Sequence, residues 1–87
     1  MHIHLHGPLE KIAQKEIQIN VKRAITLRRL LELLAQQYPA IAPYASCKTD
    51  IDLSAHLMAY KGGRILKIND TVENYEKIQL VVHVMGG

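Results

Sequence analysis

Residues 1–6 alternate strictly, with Met1, Ile3 and Leu5 on one side and His2, His4 and His6 on the other. A period of two predicts a strand with one buried and one wet face. Gly7-Pro8 breaks the pattern, and residues 9–14 read as a turn or short connection. Alternation resumes with Ile17, Ile19 and Val21 opposed to Glu16, Gln18 and Asn20. Two amphipathic strands this close in sequence most simply pair as an antiparallel hairpin.

The period then changes. Leu27, Leu30, Leu31, Leu34 and Tyr38 recur at helical spacing and make one apolar stripe. Thr26 is placed to cap the first turn, and Ile25 and Leu30 have the spacing of a hydrophobic staple. Pro39 cannot continue the helix, so the expected helix covers 26–38. Residues 40–54 carry no clear period, and a short helical turn is expected around Pro43 to Cys47. Strand character returns over 55–61, and Gly62-Gly63 suits a tight hairpin turn into a returning strand at 64–68. Asn69-Asp70-Thr71 reads as a turn. Residues 76–85 read as a last strand, with Ile78, Leu80, Val82 and Val84 on its buried side.

One striped helix and about five short strands are best packed as a curved mixed sheet with the helix across one face. That is an α+β, β-grasp arrangement, with the last strand central because it carries the densest apolar run. The 87 residues suffice for one domain, 1–87, with a flexible tail expected at 85–87. No internal repeat or linker interrupts it.

Composition narrows the function classes. Hydrophobic residues make up 48% of the chain and charged ones 22%, which excludes a disordered or low-complexity chain. No apolar run approaches ~18 residues, so no membrane association is expected. The opening MHIHLHG lacks the apolar core of a secretory signal, and a cytoplasmic location is expected. Cys47 is the single cysteine, so neither an internal disulfide nor a multi-cysteine zinc site can form. The net charge of +3 is mild. Its nearest approach to a patch is Lys22, Arg23, Arg28 and Arg29, read as solvated charge. With no Phe or Trp to stack on bases, no nucleic-acid partner is expected.

The usual enzyme constellations are missing. There is no glycine-rich phosphate loop, no paired helical histidines and no Ser-His-Asp order. Cys47 has no obvious base beside it and reads as a packing or spectator thiol. Self-contained enzyme chemistry is therefore not expected. Attention moves to Gly86-Gly87, which follow the strand QLVVHVM. Without Cβ atoms a Gly-Gly segment is thin enough to lie extended in a narrow channel of another protein. A terminal carboxylate has a typical pKa of ~3.5 and is a poor electrophile when ionised. An ATP-using partner would have to convert it to an acyl-adenylate. Sulfide from a persulfide donor could then displace AMP and leave a thiocarboxylate, or an amine could displace it and leave an isopeptide bond.

The strand MHIHLHG, the helix TLRRLLELLAQQYP and the closing segment DTVENYEKIQLVVHVMGG together resemble the ubiquitin-like sulfur carriers. This is the family of the molybdopterin synthase small subunit (MoaD) and the thiamin-synthesis carrier (ThiS). Val72 and residues 76–84 occupy the places of the family's closing pattern. Asn74-Tyr75-Glu76 stands where a Gly-Asp turn is usual, and Val84-Met85 replaces the proline-rich end of the molybdopterin branch. The resemblance implies a carrier or co-substrate rather than an enzyme, adenylated at Gly87, with Gly86 giving reach. It could be the small subunit of a sulfur-transferring synthase. The implied partners are a ubiquitin-activating-like adenylyltransferase, a persulfide sulfur donor and a sulfur-accepting synthase subunit. No cofactor is implied on the carrier itself, since ATP is used by the activating partner. Two alternatives stand beside it: a protein modifier conjugated through Gly87, and a non-catalytic β-grasp interaction domain.

Two surface expectations complete the reading. Val81, His83 and Met85 point outward beside the glycines and are the expected partner-binding residues. His2, His4, His6 and His83 are expected to share the outer sheet face. They are read as wet-face polar residues rather than as a metal site.

Overall fold

Thr26 behaves as its sequence context predicts: its hydroxyl accepts a hydrogen bond from the Arg29 amide at 3.1 Å. In the computed structural model, which describes residues 1–7 and 15–82, this opens helix α1, Leu27–Gln37. Two more of the free first-turn amides find carbonyls on a distant loop. Leu27 N–H donates to Asp70 O at 2.9 Å and Arg28 N–H to Ile68 O at 3.1 Å. The helix start is thereby tied to a segment forty residues away, and its obligatory donors are satisfied. Leu27, Leu30, Leu31 and Leu34 are fully buried. Tyr38 closes the helix, and Pro39 starts a 3-10 turn, Pro39–Ile41, that buries Ile41.

The strands are β1 (His2–His6), β2 (Glu16–Gln18), β3 (Ile25–Thr26), β4 (Leu57–Lys61), β5 (Arg64–Ile65), β6 (Thr71–Val72) and β7 (Lys77–Val82). Five of them form one sheet in the order β2-β1-β7-β4-β5. β7 runs parallel to β1 and antiparallel to β4, so the sheet is mixed and its last strand is central. Ile3 and Leu5 of β1, Ile78 and Leu80 of β7, and Leu57 and Ala59 of β4 are buried in one core with the helix leucines. Each large aliphatic side chain so buried contributes roughly 1.5–3 kcal/mol. The α+β, β-grasp expectation is met.

Several local expectations need correction. The short helical turn expected around Pro43 to Cys47 is present as α2 (Ala42–Ala45), one residue earlier at its start and two at its end, and Cys47 packs partly buried against the core. A further helix, α3 (Asp50–Ser54), occupies part of the segment read as patternless. Thr49 caps it through Asp52 N–H at 3.1 Å, and Asp50 and Asp52 favour its positive end. As a result β4 begins at Leu57, two residues later than expected. β2 stops at Gln18, although Ile19 N–H still donates to Met1 O at 2.9 Å and Ile19 and Val21 pack, partly buried, against the core. β5 is limited to Arg64–Ile65, although Leu66 N–H still reaches Ala59 O at 2.8 Å. Thr71 is a strand residue, because β6 pairs with β3 in a separate two-stranded ladder. The expected connection at 9–14 lies outside the described residues.

Two polar clamps hold the ends of these elements. Asn74 Oδ1 accepts from Val21 N–H at 2.8 Å and from the Met1 nitrogen at 3.2 Å. The Lys61 ammonium lies 3.1 Å from the Glu76 carboxylate, with both side chains largely shielded. Burial pushes the Glu76 carboxyl upward, but the Glu73 amide, the Lys61 hydrogen bond and charge, and Arg64 outweigh it and hold its pKa below the usual range.

Candidate functional site

The register of β7 defines the site. Its partners run His6↔Val81 on the β1 side and Met58↔Val81, then Leu57↔Val82, on the β4 side. β1 ends at His6, and Gly7 turns the chain away with φ +70°, a conformation glycine adopts without steric cost. A Cβ at Gly7 would stand 3.6 Å from the Val82 carbonyl oxygen. β4 begins at Leu57 after the turn at Ala55-His56. β1 therefore ends opposite Val81 and β4 opposite Val82, and neither offers β7 a further rung among the described residues.

Of the residues expected to carry function, Gly86, Gly87, His83 and Met85 lie outside the described residues, as does the expected tail at 85–87. Val81 is described. It points to the face opposite Leu80 and Val82 and is half-buried. Val81 lines an open hollow of about 450 Å³ together with His6, Tyr60, Gly63 and Gln79. Tyr60, Gln79 and Met58 were not singled out in the sequence. Gln79 shares the face of Val81 through the alternation of β7 itself, whereas Tyr60 and Met58 join it only through the β4–β7 register, a non-local pairing with no signal along the chain. Gly62 and Gly63 do carry such a signal, and they supply φ values of +57° and +78° to the β4–β5 turn.

His2, His4 and His6 share the outer face, as the alternation requires. The His4 and His6 rings stack with centroids 4.4 Å apart and planes 1° from parallel. Their nitrogens face separate neighbours. His6 Nε2 lies 3.1 Å from Gln79 Oε1, while His2 Nε2 and His4 Nδ1 lie 3.6 Å and 3.8 Å from Glu16 Oε1. His4 Nε2 is buried without a hydrogen-bond partner. Stacking face to face turns the ring edges away from a common point. Among the described residues, no group of three or more His, Cys, Asp or Glu side chains could hold a metal ion.

The remaining candidates have structural surroundings. Cys47 Sγ lies 3.6 Å from the Pro43 carbonyl, a local contact at the end of α2. Arg28 donates to the Lys48 carbonyl at 3.1 Å, and Arg29 meets Glu32 at 3.6 Å one turn along the helix. Lys22 and Arg23 are exposed. No helix among the described residues is long and apolar enough to cross a membrane.

Comparison with known proteins supports the fold directly. The crystal structure of SAMP1 from Haloferax volcanii superposes with a TM-score of 0.75 at 19% sequence identity, covering 99% of this chain and 97% of that one. The shared architecture is the ubiquitin-like β-grasp fold. No family model matches the chain. No curated protein matches it in sequence.

Proposed function

We propose that this chain is a sulfur carrier that acts through the carboxylate of Gly87. The observation that carries this reading is the position of the last described pairs of the central strand, His6↔Val81 and Leu57↔Val82, immediately before the closing HVMGG segment. Five residues of extended chain span at most roughly 17 Å, enough to enter a partner's active site while the folded domain stays outside. The resemblance of the whole chain to the MoaD and ThiS carriers, and its ubiquitin-like fold, support the same reading.

The chemistry follows from the weakness of a carboxylate as an electrophile. A ubiquitin-activating-like enzyme lets the Gly87 carboxylate attack the α-phosphorus of ATP, releasing pyrophosphate and forming an acyl-adenylate. The terminal sulfur of a donor persulfide attacks the carbonyl carbon and AMP leaves. A second thiol then cleaves the resulting acyl disulfide, so that the thiol is oxidised and the thiocarboxylate is freed. A synthase subunit takes this sulfur in molybdopterin- or thiamin-type cofactor synthesis. The carrier contributes a rigid grip and an unhindered tail, and it is a co-substrate rather than an enzyme. Its recognition face is the outer sheet surface around Val81, and His83 and Met85 of the closing segment are the further partner-binding residues of this proposal.

ATP–pyrophosphate exchange with the activating enzyme of the same organism tests the reading. The 87-residue chain should support exchange, and a chain lacking Gly86 and Gly87 should not. Equal exchange by both would leave the β-grasp interaction domain as the better account.

A further inference from the structure

On the β4 side of the site lies a second apolar feature that the resemblance does not assign. Ile51 on α3 is 81% exposed and Ile65 on β5 is 51% exposed. With Leu53, Leu57, Met58 and Leu66 they line a groove of about 260 Å³. That is below the roughly 300–1,000 Å³ of sites for drug-sized ligands, and its walls are almost wholly apolar. It suits a few aliphatic side chains of another protein better than a small polar substrate.

The groove's position says which protein. Leu57 is the register partner of Val82, the last described residue of β7, and Met58 is the partner of Val81. Ile65 pairs with Tyr60, which lines the Val81 hollow and donates its hydroxyl to Met58 Sδ at 3.6 Å. An apolar band therefore runs from the Val81 hollow through Met58 to Ile65 and Ile51. Adjacent strands lie ≈ 4.8 Å apart, so the groove begins one strand away from Val82. A partner that holds residues 83–87 must overhang this end of the sheet. Two large exposed isoleucines beside it are surface that a solitary domain gains nothing by showing to water.

We infer that this groove is a second anchoring site for the activating enzyme and receives an apolar side-chain anchor from it. The inference rests on the sulfur-carrier reading for the identity of the partner. Charge specifies the anchor further. Arg64 and Lys67, on either side of Ile65 and Leu66, are exposed and make no ion pair among the described residues. Asp50, which also lines the groove, is engaged by the Ile68 amide at 2.7 Å. An apolar anchor flanked by carboxylates fits both features, and such flanking charges act mainly on encounter and register.

The test is steady-state adenylation by the activating enzyme, with the carrier as varied substrate. Ile51→Lys and Ile65→Lys should each raise the carrier's KM roughly five- to tenfold, in the range of interface anchor residues, with kcat unchanged. Their melting curves should coincide with that of the parent chain, since both residues are exposed. Ile51→Ala combined with Ile65→Ala should move KM the same way without adding charge. Unchanged KM in these variants, or a change in kcat alone, would overturn the anchoring site while leaving carrier activation standing. If the parent chain is not adenylated at all, the carrier reading fails, and the groove loses its assigned partner with it.

Discussion

Gly7 and Val82 lie side by side where β1 and β7 part, with the glycine at φ +70° and its missing Cβ 3.6 Å from the Val82 carbonyl. The close approach alone would admit a methyl group, so the backbone angle is what demands glycine. Gly7→Ala should destabilise the domain by roughly 1–2 kcal/mol, the cost of a left-handed residue with a Cβ. Urea unfolding measures this. A change much below 1 kcal/mol would mean that the turn adopts another conformation.

The Lys61–Glu76 pair predicts a pH dependence with a definite sign. The folded-state pKa of Glu76 lies below its ordinary value of 4.5. Its contribution is therefore fully present above that value and is lost as pH falls through the folded pKa. Glu76→Gln should cost about 1 kcal/mol at neutral pH, given a shielded pair that also accepts the Glu73 amide at 2.8 Å. The difference between the two proteins should shrink as pH falls below 4.5 and through the lower folded-state pKa. A difference that stays constant from neutral pH down to the acid unfolding of the domain contradicts the ion-pair account.

Much of this architecture was legible along the chain, for reasons that particular residues make clear. Thr26, the leucines of α1 and Pro39 are local signals acting over one to four residues, and they fix the helix within one residue at each end. The alternation of MHIHLH likewise places β1. β6 was missed because two residues have no period, and Thr71 is extended only through its pairing with Thr26. α3 was missed although Thr49-Asp50-Ile51-Asp52 carries a capping signature, because the helix buries only Leu53 and shows no stripe. The Val81 hollow and the Ile51–Ile65 groove were not legible, since strand register assembles both from distant segments.

Asn74 stands where the resembled family usually has a Gly-Asp turn, and the structure gives its amide a specific task. Its carbonyl oxygen accepts from Val21 N–H and from the Met1 nitrogen, pinning β1 and the end of the second segment to the turn before β7. Asn74→Ala leaves both donors to water and should cost roughly 1–2 kcal/mol. Asn74→Asp keeps an acceptor at that place and should cost less. Equal losses in the two variants would show that the oxygen does not hold these donors together.

Val81 is the described residue of the expected partner surface, and its substitution separates docking from folding. Val81→Asp puts a charge on a half-buried outer-face position of a central strand, where residue preferences span only ~1 kcal/mol. The protein should remain folded, with melting lowered by roughly 4–8 °C, the shift that ~1 kcal/mol produces in a domain of this size. Adenylation by the activating enzyme should fall at least tenfold, through KM. Unchanged adenylation would move the docking surface elsewhere.

Intact-protein mass spectrometry after incubation with the activating enzyme, ATP and a persulfide donor tests the central claim most directly. The account predicts a product with one oxygen replaced by sulfur, located to Gly87 by fragmentation. The product should be absent without ATP and absent from a folded chain that lacks Gly86 and Gly87. An active cognate enzyme that yields neither the adenylate nor the thiocarboxylate would contradict the sulfur-carrier account.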